Sequence, residues 1–236
     1  MFCFPYAGGG TWIFRNWAKA LPTFVGVYLV QLPGRENLLR EPPLTRLSQI
    51  VDAVVPELLP YLDKPFAFFG HSMGALIGFE IASLLRRRYR TQPAHLFVSG
   101  CRAPQIAPTK PPTYNLPDGR FLEELRRLNG TPEEVLGNPE IMQLMEPLLR
   151  ADFEVAETYT YTQSAPLDCP ITAFGGLGDS EVNRTEVKAW CEQTSAAFSL
   201  QMFPGDHFFL HTSQTLLLQT IAHQLQRLEA KLIEGR

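Results

Sequence analysis

Cysteine is scarce and unpaired in this chain. The 236 residues hold four, Cys3, Cys101, Cys169 and Cys191, with no C-x-x-C pair. That excludes a zinc ribbon and a disulfide framework, and it leaves reduced thiols that are expected to be mostly buried. No apolar run approaches the ~18 residues of a membrane span, and Met1-Phe2-Cys3-Phe4-Pro5 lacks the charged start and long apolar centre of a signal peptide. A cytoplasmic protein is expected. Charge of one sign is also missing: 21 Lys+Arg against 24 Asp+Glu give a net -3, which offers no field to gather nucleic acid. Neither internal repeats nor low-complexity tracts occur, and the ligand clusters of a metal site are absent. Gly8-Gly9-Gly10 is not followed by Lys-Ser/Thr, so it is no Walker loop.

What is present reads as an ordinary globular mix, 45% apolar and 19% charged. The length fits one large domain or one domain with an insertion. Short apolar runs alternate with helix-period segments, the order of a mostly parallel sheet wrapped by helices, an α/β fold. Strands are predicted at Met1 to Tyr6, Val25 to Leu32, Phe66 to Phe69, His95 to Ser99, Ile171 to Gly175 and Phe198 to Phe203. Between them, Thr11 can cap a helix with the apolar face Phe14, Trp17, Ala18 and Leu21. From Leu47, the apolar positions Ile50, Val51, Val54, Leu58 and Leu62 recur at helical spacing, with Pro56 and Pro60 implying kinks or an early end. Further helices are predicted over Gly74 to Leu85, around Arg184 to Thr194 and from about Thr212. The closing Ile233-Glu234-Gly235-Arg236 has the form of a protease-cleavage sequence, so the ends bear on no functional inference.

Periodicity breaks between Pro104 and Tyr161. A proline-rich stretch leads into short helical pieces: one after Asp118, one from the capping box Thr131-Pro132-Glu133-Glu134, and one from Asn138-Pro139. The pieces are predicted to form a helical insertion serving as a lid. Their apolar stripes (Phe121, Leu125, Leu128; Ile141, Leu144, Met145, Leu148) are expected mainly to pack the lid onto the sheet. Arg126, Arg127 and Arg150 fit either solvated charge or contact with an acidic partner and its phosphate. Arg86-Arg87-Arg88 and Arg90 close a helix, where cations suit the dipole.

One motif carries chemistry. Gly70-His71-Ser72-Met73-Gly74 matches G-x-S-x-G, follows an apolar strand and opens a helix-period run. Such a turn is too tight for a Cβ on either side of the serine, whose hydroxyl it exposes beside the amides of a new helix. A serine hydroxyl is nearly inert at neutral pH and needs a base, held in turn by an acid. Both follow in the order Ser, Asp, His. Asp179 comes just after the strand ending at Gly175, and His207 just after the strand ending at Phe203. His211, one helical turn beyond, is the runner-up base. Glu181 would need a loop shift to replace Asp179, and Asp206 reads as a loop residue because neighbouring side chains diverge. Oxyanion donors are expected from the amide of Met73 and from that of Tyr6 or Ala7 in the loop after the first strand.

Five separated motifs extend this reading: Phe4-Pro5-Tyr6-Ala7-Gly8-Gly9, Leu32-Pro33-Gly34-Arg35-Glu36, Gly70-His71-Ser72-Met73-Gly74, Leu149-Arg150-Ala151-Asp152 and Asp206-His207-Phe208-Phe209-Leu210. Together they resemble the type II thioesterases that accompany polyketide and nonribosomal peptide synthetases. The likeness spans almost the whole chain, although the family places one more strand ahead of the first motif. It implies an α/β-hydrolase fold over residues 1–236 with a lid at about 104–161. The implied activity is hydrolysis of acyl or aminoacyl thioesters on the phosphopantetheine arm of an acyl or peptidyl carrier protein. Ser72 would be the nucleophile, His207 the base and Asp179 the acid, in a monomer needing no cofactor or metal. A carboxylesterase would use the same residues, and a non-catalytic binding protein on the same scaffold is the other reading.

Overall fold

A computed structural model describes residues 1–234, so Gly235 and Arg236 of the closing tetrapeptide lie outside the described residues. Six strands, β1 (Phe2–Phe4), β2 (Tyr28–Leu29), β3 (Ala67–His71), β4 (His95–Ser99), β5 (Ile171–Gly176) and β6 (Phe198–Phe203), form one sheet in the order β2-β1-β3-β4-β5-β6. Every pairing is parallel. A parallel sheet covered on both faces demands strands without a polar side, and β1, β3, β4 and β5 are buried along their whole length. Alternate residues divide between two cores. Phe2, Phe4, Phe68, Leu96 and Val98 face one, while Cys3, Ala67, Phe69 and Phe97 face the other.

The first core is closed by α2 (Leu47–Leu58) and α3 (Met73–Leu84), the second by α1 (Trp17–Ala20) and the long α9 (Gln214–Glu234). α3 is buried from Met73 to Ser83 at every residue but Glu80, because it lies on the middle of the sheet. α9 buries only the stripe Leu217, Leu218, Ile221 and Leu225, the pattern of a helix wet on one side.

Several expectations are corrected. The run Val25 to Leu32 pairs only at Tyr28 and Leu29, because its one neighbour, β1, is itself only three residues long. β1 stops at Phe4, before Pro5, which lacks the N–H a ladder needs. Thr11 is no helix cap. Its hydroxyl bonds Glu36, a 3-10 turn covers Thr11–Phe14, and α1 is a single turn. Pro56 sits inside α2 without ending it, and a 3-10 turn at Leu59–Tyr61 follows. α7 (Arg184–Lys188) gives way to a 3-10 stretch, Ala189–Gln193, and carries an Asn183/Glu186 capping box that the sequence reading missed. The long final helix starts at Gln214, close to the expected Thr212, and the single turn α8 (Phe209–Thr212) precedes it. Cys3, Cys101 and Cys169 are buried free thiols; Cys191 is exposed.

Between β4 and β5 the chain leaves the sheet to form α4 (Asp118–Leu128), α5 (Glu133–Leu136) and α6 (Pro139–Glu157). Asn138 caps α6 through its side chain, accepting from the amides of Glu140 and Ile141. Thr131 does not cap α5, whose first residue follows Pro132 with no side-chain cap. This insertion has its own small core, Phe121, Leu125, Leu136, Met142 and Leu149. Of the predicted stripes, Phe121, Leu125 and Met145 join this core, Leu128 lines a cavity, and Ile141 and Leu144, expected to pack, are exposed, Leu144 at 71%. No helix among the described residues is long and apolar enough to cross a membrane.

Candidate functional site

Parallel strands deliver whatever follows them to one rim, and three chemistry-bearing loops meet at the carboxyl ends of β3, β5 and β6. Ser72 follows β3 directly and takes φ +52°, ψ −117°, a region that a side chain rarely adopts. Its amide donates to Ser99 O at 2.8 Å, which ties the turn to the next strand. The flanking glycines are obligatory on steric grounds. A Cβ at Gly70 would lie 2.1 Å from Gly74 O, and one at Gly74 would lie 2.2 Å from Phe4 O. The second approach also brings the loop after β1 against the start of α3.

The loops after β5 and β6 are sewn together by Leu177 N to Phe203 O and Gly178 N to Gly205 O, each at 2.8 Å. Gly176 permits the approach, since a Cβ there would meet Asp206 O at 2.3 Å. Across this seam His207 Nδ1 meets Asp179 Oδ2 at 2.9 Å, with both side chains nearly buried. Asp179 Oδ1 accepts the amides of Glu181 and Val182, so the carboxylate is fixed from its other side. A carboxylate only accepts, so Nδ1 carries a proton, and in the neutral ring Nε2 keeps its lone pair. Ser72 and His207 line one cavity of about 330 Å³, with Tyr6, Ala7, Leu128 and Phe153 among its walls. Among the described residues Ser72 makes no side-chain hydrogen bond to His207; contacts of this kind tighten only when substrate is bound in many hydrolases.

Rival residues are engaged elsewhere. His211 Nε2 lies 2.9 Å from Tyr6 Oη, its pKa lowered by burial, and its ring stacks on Trp12. Asp206 accepts the amide of Phe208 and meets Asn129 Nδ2. Glu181 pairs with Lys110 and Arg127. Burial pushes its carboxyl up, but the two cations outweigh burial and bring it down to about 2. Arg126 pairs with Glu133, and Arg150 reaches Tyr114 O, Leu116 O, Asp118 and Glu146 while covering the Phe121 ring. Neither of these two is a free cation awaiting a phosphate.

Among the amides of the loop after β1, Gly8 donates to Asp152 Oδ2 at 2.7 Å and Gly9 to Tyr6 O at 2.9 Å. Those of Tyr6 and Ala7, on the cavity wall, have no such acceptor among the described residues. Sequence reasoning gave no role to Asp152 or to Arg35, which binds it; their only signal was their presence in two of the five motifs. It also passed over His71, buried beside the His207 ring at 5.2 Å between centroids. No group of His, Cys, Asp and Glu among the described residues could hold a metal ion.

Comparison with known proteins bears on this geometry. The family model described as thioesterase domain matches residues 1–225. Gramicidin S biosynthesis protein GrsT of Aneurinibacillus migulanus is 50% identical over 96% of this chain and 88% of its own. Linear gramicidin dehydrogenase LgrE of Brevibacillus parabrevis is 48% identical over 96% and 87%. Among solved structures, the thioesterase RedJ of the prodiginine pathway in Streptomyces coelicolor superposes with a TM-score of 0.89. It is 39% identical, and the match covers 94% of this chain and 88% of that one.

Proposed function

Because the chain belongs to the thioesterase domain family, we propose that it hydrolyses acyl or aminoacyl thioesters on the phosphopantetheine arm of a carrier protein, editing or releasing products of polyketide or nonribosomal peptide assembly. The observation that carries the site assignment is the 2.9 Å contact of His207 Nδ1 with Asp179 Oδ2, which in the neutral ring selects the tautomer with its lone pair on Nε2, beside the cavity that Ser72 also lines.

In the first half-reaction Ser72 Oγ attacks the thioester carbonyl carbon while His207 Nε2 takes its proton. The oxyanion is met by the amide of Met73 and by that of Tyr6 or Ala7. Asp179 stabilises the imidazolium. The C–S bond then breaks, the imidazolium proton passes to the departing sulfur, and the acyl group stays on Ser72. In the second half-reaction water gives its proton to His207 and attacks the acyl-serine, releasing the acid and restoring the hydroxyl. No step calls for a cofactor or a metal. The insertion acts as the lid over the acyl group, with Leu128 and Phe153 offering it an apolar wall. The reading places a monomer in the cytoplasm, with an acyl or peptidyl carrier protein as partner and neither nucleic acid nor membrane involved.

The name of the LgrE relative denotes redox chemistry. That would require a hydride donor, and the sequence has no Gly-x-Gly-x-x-Gly dinucleotide fingerprint. Mass spectrometry of acyl-loaded carrier proteins before and after incubation tests the proposal. Free acid and bare pantetheine thiol are expected, without consumption of a nicotinamide cofactor, and Ser72→Ala should be folded and inert. Near-normal turnover by Ser72→Ala would sink the site assignment, and faster cleavage of a small aryl ester than of any carrier-bound thioester would make the protein a carboxylesterase. Failure of a serine-directed reagent to label the chain would point to a non-catalytic binding protein.

A further inference from the structure

Asp152, on α6 of the insertion, and Arg35, in the loop after β2, form a charged pair with side chains only 1% and 5% exposed. Arg35 Nη2 donates to Asp152 Oδ1 at 2.8 Å, and Nη1 donates to Oδ2 at 3.0 Å and to Gly9 O at 2.8 Å. Asp152 Oδ2 takes the Gly8 amide as well, at 2.7 Å. Burial raises the pKa of the Asp152 carboxyl, while Arg35 and the Gly8 amide oppose that rise. Three N–H donors on two oxygens are the contacts of a carboxylate anion.

The pair thus holds two peptide units of the loop after β1, Ala7–Gly8 by its N–H and Gly9–Gly10 by its C=O. The neighbouring Glu36 holds the same loop further on, accepting from Thr11 Oγ1 and the Trp12 amide. Gly8 has φ +74°, which a side chain rarely adopts, and a Cβ there would lie 2.4 Å from Leu149 Cδ2 of α6. With the Gly8 and Gly9 amides committed, those of Tyr6 and Ala7, two residues that line the cavity, are the ones left without an acceptor among the described residues.

A buried ion pair contributes little net stability compared with an apolar pair of the same volume. What an apolar pair could not do is select which amides stay free. The geometry points to Arg35 and Asp152 as positioning residues of the oxyanion hole, through which the seating of the insertion on the sheet sets the donors of the reaction. This rests on the acyl-transfer reading of Ser72, and it gives α6 a part in the chemistry beyond covering the cavity.

The test is the double variant Arg35→Met/Asp152→Leu, which replaces the pair by apolar side chains and strands no charge. It is expected to fold, with KM for an acyl-loaded carrier protein near that of the parent and kcat lower by about 10²-fold, the usual scale for a misplaced or missing oxyanion donor. A trifluoromethyl ketone analogue, which adds to the serine and carries the oxyanion, should lose affinity by a similar factor. A merely structural role would move neither quantity in a folded enzyme. A folded double variant with kcat within about threefold of the parent, or one whose loss lies only in KM, would overturn the inference. Should the double variant fail to fold, Arg35→Lys carries the test. It keeps a cation opposite Asp152 but cannot reach both Asp152 oxygens and Gly9 O, so the same fall in kcat at constant KM is expected, and unchanged kcat overturns. Ser72→Ala is assayed alongside: turnover surviving there would remove the acyl-transfer reading itself, which is a different failure from an active double variant beside an inert Ser72→Ala.

Discussion

His207 is held from two directions. Asp179 fixes Nδ1, and the His71 ring packs edge-on behind it. His71 is fully buried and burial keeps its pKa well below the ordinary 6.5, with its Nδ1 meeting Ser99 Oγ at 2.9 Å. A neutral ring in that position places no second positive charge against the imidazolium that the proposed mechanism forms on His207. Asp179→Asn tests the other restraint. The amide keeps the size of the carboxylate but can present N–H to His207, favouring the wrong tautomer; kcat is expected to fall by about 10⁴-fold with the melting temperature little changed. Steady-state kinetics on a carrier-bound thioester checks this, and a loss below tenfold would make Asp179 a structural residue only.

At the scale of elements, the insertion touches the rest of the site through charge as well as through Asp152. Lys110 and Arg127 reach across to Glu181, whose own amide helps hold Asp179. The cations are substantially exposed, so this clasp contributes about 1 kcal/mol or less to global stability. Its effect is expected to be local. In Glu181→Gln, hydrogen exchange along α4 should quicken while the amides of β3, β4 and β5 stay protected, and raising salt on the parent should have the same direction of effect. Equal exchange along α4 in both proteins would mean that the clasp restrains nothing. The elements best read from sequence were those whose signal is local. The elbow announces itself by Gly70 and Gly74, and β4 is a buried run legible at its true bounds. Val25 to Leu32 misled because an apolar edge segment can satisfy its side chains by packing without pairing its backbone. The Arg35–Asp152 contact joins residues 117 positions apart, and no periodicity or turn signal encodes such a partnership. Likewise, Asp179 and His207 could be ordered along the chain from sequence, but their hydrogen bond depends on the seam between two loops.

For the molecule as a whole, two buried imidazoles set a dependence of stability on acid. Burial keeps His71 neutral and lowers His95 from 6.5 to about 4. The unfolded chain protonates both near 6.5, so below that pH it binds more protons than the folded chain does. Their contribution to stability is therefore complete above 6.5 and is lost as pH falls, at about 1.4 kcal/mol per pH unit for each group. His95→Gln should lessen that slope by one group's share in urea melts between about pH 7 and 5, and an identical slope would show that His95 already titrates normally when folded. The strand order has a different consequence. β1 lies between strands that come later in the chain, and β4 finds β5 only after the entire insertion has been made. No two neighbouring strands can zip from a hairpin, so each pairing must first close a long loop whose entropy cost precedes any reward. The same all-parallel order that gathers three loops at one rim therefore makes for a slow-folding chain, with its most apolar strands unprotected for longest on the way.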